Sequence, residues 1–150
     1  PLDLGTTAST AAAGNHTHAA ATASALGLVE LATNAETQNG TDAERAVTPA
    51  GLAAVTLGLR QSWIDVKASR TWNTVYTNTT GRAIAVQVCA QDTVAGNLSI
   101  ELFVNGLLLS RSYASASFLL PAFAIVPANG TYEVRRVDND DTIVSWVELR

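Results

Sequence analysis

Leu98–Tyr113 reads LSIELFVNGLLLSRSY, and its pattern decides the class of fold. Two apolar-rich runs flank Asn105-Gly106, a dipeptide suited to a two-residue hairpin turn whose central residues both need positive φ. In the first run Leu98, Ile100, Leu102 and Val104 share one face, with Ser99, Glu101 and Asn105 opposite. A period of two is that of a strand lying half-buried on a core. The stretch therefore predicts a hairpin of Asn97–Val104 with Leu107–Tyr113.

Working outward, the same grammar covers Ser62–Arg150. Further predicted strands are Trp63–Ala68, Thr71–Thr77, Ala83–Ala90, Phe118–Val126, Tyr132–Val137 and Thr142–Leu149. Turn signals at Thr80-Gly81, Asn129-Gly130 and Asp138–Asp141 separate them at short intervals, the mark of an antiparallel sandwich or barrel. Ile84, Val86 and Val88 alternate with Ala85, Gln87 and Cys89, so this strand is expected to form a core pair with Leu98–Val104. Phe118–Val126, FLLPAFAIV, is apolar on both faces. Pro121 removes a donor from the ladder and predicts an edge or bulged strand, which must be covered to avoid aggregation. A neighbouring protomer is the expected cover.

Residues Pro1–Ala25 are mostly Ala, Thr, Ser and Gly, with too little apolar area to order a single chain. They are expected to be either disordered or wound with other copies. Within them His16 and His18 alternate with Thr17, so on an extended chain both imidazoles project to one side. One chain makes a poor metal site. Three chains around an axis would bring six nitrogens, an octahedral set that suits iron or another divalent metal. The alternative is two solvated histidines in a linker.

Residues 27–60 read as a connector. Leu28–Ala32 is a predicted short strand, and Thr33 or Asn34 caps a helical turn with Glu36 near its start. Asn39-Gly40 stops that turn. A second helix has Thr48 as N-cap and Pro49 at its first position, with Leu52, Val55 and Leu59 as a thin apolar stripe. Such short, Ala- and Thr-rich pieces are stable only against copies of themselves or against a neighbouring domain.

The totals exclude several classes. The formal net charge of −4 argues against a nucleic-acid binder, which needs a basic face for phosphate. No run of about 18 apolar residues is present for a membrane span, and no secretory pattern opens the chain. The one cysteine, Cys89, rules out an intrachain disulfide. With no methionine and Pro1 first, the sequence reads as part of a longer protein. No Ser/His/Asp or Cys/His set is assembled, so no enzyme is expected; a glycan depolymerase would place carboxylate pairs on a longer repetitive scaffold.

The order GLVELAT-x-x-E-x-x-x-GTD-x-x-x-AVTP-x-GLAA over Gly27–Ala54 resembles the connectors of tailed-bacteriophage tail-fibre proteins. GNHTHAAATASALG resembles the His-x-His stretches of the same fibres, and YTNTTGRAIAVQV, LFVNG and SWVELR are similar to their terminal β-domains. The resemblance implies a mainly β, intertwined parallel homotrimer. It comprises an arm (1–26) with one iron-binding His-x-His ring, a helical connector (27–60) and a C-terminal antiparallel β-sandwich tip (61–150). Its implied setting is the virion, joined to upstream fibre or baseplate proteins and contacting a bacterial surface glycan such as lipopolysaccharide. The alternative role is a purely structural trimerisation and end-capping module.

Receptor contact is expected from loops on the rigid tip: Gln91–Gly96, Arg111–Ser117 and Asp138–Asp141. Arg111 and Tyr113 are the leading candidates, a forked donor for acidic or phosphorylated glycans and a rigid amphipathic ring. Asp92 and Asp140 supply acceptors in the flanking loops. Trp63 and Trp146 are assigned to packing.

Overall fold

The computed structural model describes residues 19–24, 27–92, 98–114, 118–136 and 141–150. Two compact units arise, one ending at Gly51 and the other Leu52–Arg150.

In the first unit, α1 (Asn34–Asn39) shows how local chemistry sets helix ends. Thr33 Oγ1 accepts from the Glu36 amide at 3.2 Å, and the Glu36 carboxylate accepts from the Thr33 amide at 2.8 Å. This reciprocal capping box holds the Glu36 carboxyl below the usual carboxylate range, chiefly through the Thr33 backbone bond. Gly40, at φ 63°, ends the helix and donates to the Glu36 carbonyl. Before α2 (Pro49–Val55), Thr48 Oγ1 accepts from the Gly51 amide at 3.0 Å. A Cβ at Gly51 would stand 2.7 Å from Thr37 Oγ1, so the glycine lets α1 approach.

Arg45 ties this unit together through ion pairs with Glu30, Glu36 and Asp42. The predicted strand Leu28–Ala32 does not form. Among the described residues it makes two isolated parallel bridges, Ala20 with Leu28 and Leu31 with Ala46, each too short to propagate a ladder. Leu28, Val29, Leu31 and Val47 stay exposed.

The second unit is a β-sandwich. Its strands are β1 (Trp63–Asp65), β2 (Val75–Thr77), β3 (Ile84–Asp92), β4 (Leu98–Val104), β5 (Leu107–Ala114), β6 (Leu119–Val126), β7 (Thr131–Arg136) and β8 (Asp141–Leu149). One sheet runs β1-β8-β3-β6 and the other β2-β7-β4-β5, with every pairing antiparallel. The turn at Asn105 (φ 50°) and Gly106 (φ 78°) has the predicted double positive φ. It docks on β7, where Asn105 Oδ1 accepts from the Thr131 amide at 2.8 Å.

Side-chain parity places Val86, Val88 and Ala90 of β3 and Ile100, Leu102 and Val104 of β4 in one core, with Ala122, Ala124 and Val126 of β6. The expected core pair of β3 and β4 forms, though not as hydrogen-bonded neighbours. The two belong to opposite sheets and share the core face to face, β3 bonding to β6 and β8 and β4 to β5 and β7. Matching apolar parity tells which face a strand buries, not which neighbour bonds its backbone.

Two predicted strands shorten. Trp63–Ala68 stops at Asp65, whose Oδ1 accepts from the Lys67 amide at 2.9 Å and starts a 3-10 turn over Lys67–Ser69. Thr71–Thr77 begins only at Val75, because Asn73 turns the chain at φ 56°. The second helix, expected through Leu59, ends at Val55; Gly58 and Arg60 follow with left-handed φ.

Asn78 is buried and joins two loops of the sandwich. Its Nδ2 donates to the carbonyls of Arg82, Val126 and Pro127, and its Oδ1 accepts from Thr80.

One end of the core is aromatic and charged. Tyr76, Tyr132 and Trp146 pack with ring centroids 5.6–6.3 Å apart. Beside them Glu148 is 1% exposed. Its Oε1 accepts from Arg70 Nε at 2.9 Å and from the Tyr132 hydroxyl, while Arg70 Nε also lies 2.8 Å from Tyr132 Oη. The Arg70 guanidinium stacks 4.4 Å from the Tyr76 ring centre. This cluster links the β8 sheet to the β7 sheet.

Burial, reinforced by the hydrogen bond to Glu148, pushes the Tyr132 phenol above its ordinary range. The folded value exceeds the unfolded one, so the stabilisation is complete below the unfolded tyrosine pKa of about 10 and is lost as pH rises beyond it. Urea midpoints should therefore hold steady up to about pH 10 and then fall. Tyr132→Phe should start lower and lack the part of the alkaline fall that Tyr132 ionisation causes. An unchanged alkaline fall in that variant would remove Tyr132 as its source.

Candidate functional site

Each sheet of the sandwich has an outer face, and the two differ in chemistry. On the β2-β7-β4-β5 sheet, register aligns Arg111 of β5, Glu101 of β4 and Arg135 of β7 in one row. Arg111 Nε donates to Glu101 Oε1 at 2.7 Å, and its Nη2 reaches the same oxygen. Arg135 Nη2 donates to Glu133 Oε2 at 2.7 Å. That bond raises the Arg135 pKa, with attraction from Glu133 and Glu101 adding to it.

Glu101 lies on the outer face, yet it is only 8% exposed, because it stands between two arginines on a central strand. The next row carries Phe103, over whose ring the Arg135 guanidinium sits at 4.2 Å. On the other side Tyr113 stands opposite Ser99 and is 62% exposed. A row of fixed polar groups is thus bordered by aromatic surface on both sides. Such a face can offer directed hydrogen bonds together with a flat apolar platform.

Arg111 and Tyr113 therefore fall on one face, as candidates two residues apart on a strand must. Both lie in the predicted strand Leu107–Tyr113, and the loop expected over Arg111–Ser117 does not begin at Arg111. β5 continues through Ala114 because Tyr113 pairs with Ser99 and Arg111 with Glu101. Asp92 ends β3, and its side chain lies outside the described residues. Asp140, His16 and His18 also lie outside them. Sequence reasoning missed Glu101, Arg135 and Glu133 as parts of this site. The available signal was parity: Glu101 shares its face with Ser99, and Glu133 and Arg135 are spaced by two.

The outer face of the β1-β8-β3-β6 sheet carries large exposed apolar side chains at its two edges, with polar groups such as Gln87 and Ser145 between them. β6 is an edge strand, buries Ala122, Ala124 and Val126, and turns Leu119, Pro121, Phe123 and Ile125 outward. Phe123 is 51% exposed. Trp63 is corrected here, since it is half exposed at the opposite edge instead of packed, while Trp146 is fully buried. Register adds Gln87, Val147 and Asp65 to the Phe123 row. The Ser112 hydroxyl donates to the Pro121 carbonyl at 2.6 Å, occupying part of the free rim of β6.

A hollow of about 890 Å³ lies in the first unit between Ala20–Ala23, Leu28–Glu30 and Ala43–Arg45. Its walls are mostly small side chains, and its Glu30 and Arg45 pair with each other. Among the described residues no group of three His, Cys, Asp or Glu side chains converges, and no helix is long and apolar enough to cross a membrane.

No protein-family model matches the chain, and no curated protein matches it. Solved structures with partial likeness include a beta-glucosidase from Paenibacillus barengoltzii, at 9% identity and TM-score 0.39. That match covers 64% of this chain and 11% of the glucosidase. Another is the CBM36-1 domain of a multidomain xylanase from the hindgut metagenome of Trinervitermes trinervoides, at 10% identity and TM-score 0.38, covering 61% and 97%. A third is the carbohydrate-binding module CBM36 in complex with calcium and xylotriose, at 12% identity and TM-score 0.34, covering 65% and 95%. Overlap this low assigns neither a ligand nor a family to this chain.

Proposed function

We propose that the chain is the distal part of a tailed-phage fibre, a parallel homotrimer whose β-sandwich tip binds a glycan of the bacterial surface without catalysis. The observation that carries this reading is the unlike character of the two outer sheet faces. Trp63, Phe123 and Ile125, exposed on the edge strands of one sheet, suit contact between copies, which leaves the polar row of Arg111, Glu101 and Arg135 with Tyr113 for a receptor. Large apolar side chains left exposed by a single chain mark an association surface. The connector adds Leu28, Val29, Leu31 and Val47, also exposed in the isolated chain. Three modest sites on one rigid tip gain avidity without new contacts.

In the trimer His16 and His18 of three chains would form one ring holding iron or another divalent metal and fixing the register of the arms. Native mass spectrometry with and without a chelator tests assembly and metal together. Three chains with one metal ion, lost in the His16→Ala, His18→Ala double variant, is the expected result.

The purely structural reading, a trimerisation and end-capping module, is favoured by the same exposed connector side chains. Adsorption to host cells separates the two. Tyr113→Ala and Arg111→Ala should each leave the trimer intact and weaken adsorption about 10-fold. Undiminished adsorption by both variants would leave only the structural role.

A further inference from the structure

We propose that the polar sheet face is built for a neutral saccharide, not for an acidic or phosphorylated one. This rests on the glycan-binding reading above and names the class of glycan. With Glu133 of the next row, the three-residue row makes a set of two arginines and two glutamates whose formal charges cancel. Arg111 is paired with Glu101 and Arg135 with Glu133, and Glu101 on the central strand faces arginines on both sides.

An anionic sugar would have to compete with carboxylates that already hold both guanidinium groups, and would meet their repulsion. A neutral sugar has no such conflict. Its hydroxyls donate to carboxylate oxygens and accept from guanidinium N–H groups, and adjacent hydroxyl pairs match the spacing of both planar groups. The pairs also hold these side chains in place before a ligand arrives, which lowers the entropy cost of binding. The C–H face of a sugar ring is apolar, and the exposed Tyr113 ring beside the row is the surface available for it. On the other side the Arg135 guanidinium lies over the Phe103 ring, 4.2 Å from its centre, which helps hold it in place.

The test is binding of the full chain to immobilised neutral hexose oligosaccharides and to matched uronate, sialylated and phosphorylated ones. Salt is varied from about 50 to about 500 mM, a range that screens exposed charge pairs. Retention on a neutral glycan, changing less than about 2-fold over that range, is the expected result. Tyr113→Ala should lower it about 10-fold. Glu101→Gln leaves the row with one surplus positive charge. It should weaken neutral binding and create salt-sensitive retention of anionic glycans, with circular dichroism and urea midpoints reporting whether the sandwich stays folded.

Wild-type retention only on anionic glycans would overturn the proposal. So would adsorption to cells that neutral polysaccharide from those cells fails to compete, although the attachment reading would then survive. Absence of both assembly and adsorption would instead remove the fibre reading itself. If Glu101→Gln unfolds the protein, charge reversal at the exposed partner by Arg111→Glu serves in its place. It should abolish neutral binding and gain no anionic binding.

Discussion

Arg70→Ala should lower the unfolding free energy by about 3–5 kcal/mol, read as a fall in urea midpoint at unchanged slope. Removing the guanidinium leaves Glu148, 1% exposed, with its carboxylate facing the Tyr132 hydroxyl and, at 3.3 Å from its other oxygen, Arg150. A buried charge stripped of its main partner costs far more than the intact pair contributed, because water does not reach it and Arg150 alone is left to balance it. The variant also loses the stacking of Arg70 on Tyr76 and its bond to Tyr132. Adding Glu148→Gln to Arg70→Ala should recover part of the loss, since the buried charge then disappears. A double variant no more stable than Arg70→Ala would show that the cost lies in packing instead of charge.

Phe123→Asp with Ile125→Asp should raise the dissociation constant for assembly by about 100-fold or more, followed by sedimentation at several protein concentrations. Both side chains point away from the core, at 51% and 48% exposure, so the sandwich itself should keep its urea midpoint within about 0.5 kcal/mol. If they meet another copy, two carboxylates on each protomer would be carried into an apolar contact with no cation to receive them. Unchanged assembly would locate the interface elsewhere, with the exposed connector residues Leu28, Val29 and Leu31 as the next surface to alter. The pair of substitutions thus separates folding from association, which the inward-facing Ala122, Ala124 and Val126 of the same strand would not.

What could be read directly was local. Asn105-Gly106 specified its hairpin because the two residues' own backbone preferences suffice for the turn, whatever surrounds it. Thr33, Glu36 and Gly40 bounded α1 through bonds spanning three or four residues, and Thr48-Pro49 opened α2 the same way. Pro121 marked an edge strand because a missing amide is a property of the residue itself. Alternation also told which side chains of β3, β4 and β6 turn inward, since the period of two is intrinsic to a strand.

Tertiary structure decided what depends on distant neighbours. The sequence does not say that β3 bonds to β6 and β8 while β4 bonds to β5 and β7, because many strand orders bury the same apolar faces. Glu148 could be assigned to the inner side from its parity with Trp146, yet its partner Arg70 lies 78 residues away and reaches it only through packing. The binding row is of the same kind. Arg111 and Tyr113 stood out as exposed residue types, but their neutral pairing with Glu101 and the approach of Arg135 exist only once three strands lie in register. By itself the sequence determined the turns, caps and strand faces of a mainly β chain, because those follow from bonds within a few residues. The sheet order, the buried Arg70–Glu148 cluster and the charge balance of the outer face belong to the tertiary structure, where side chains far apart in the chain first come within reach of one another.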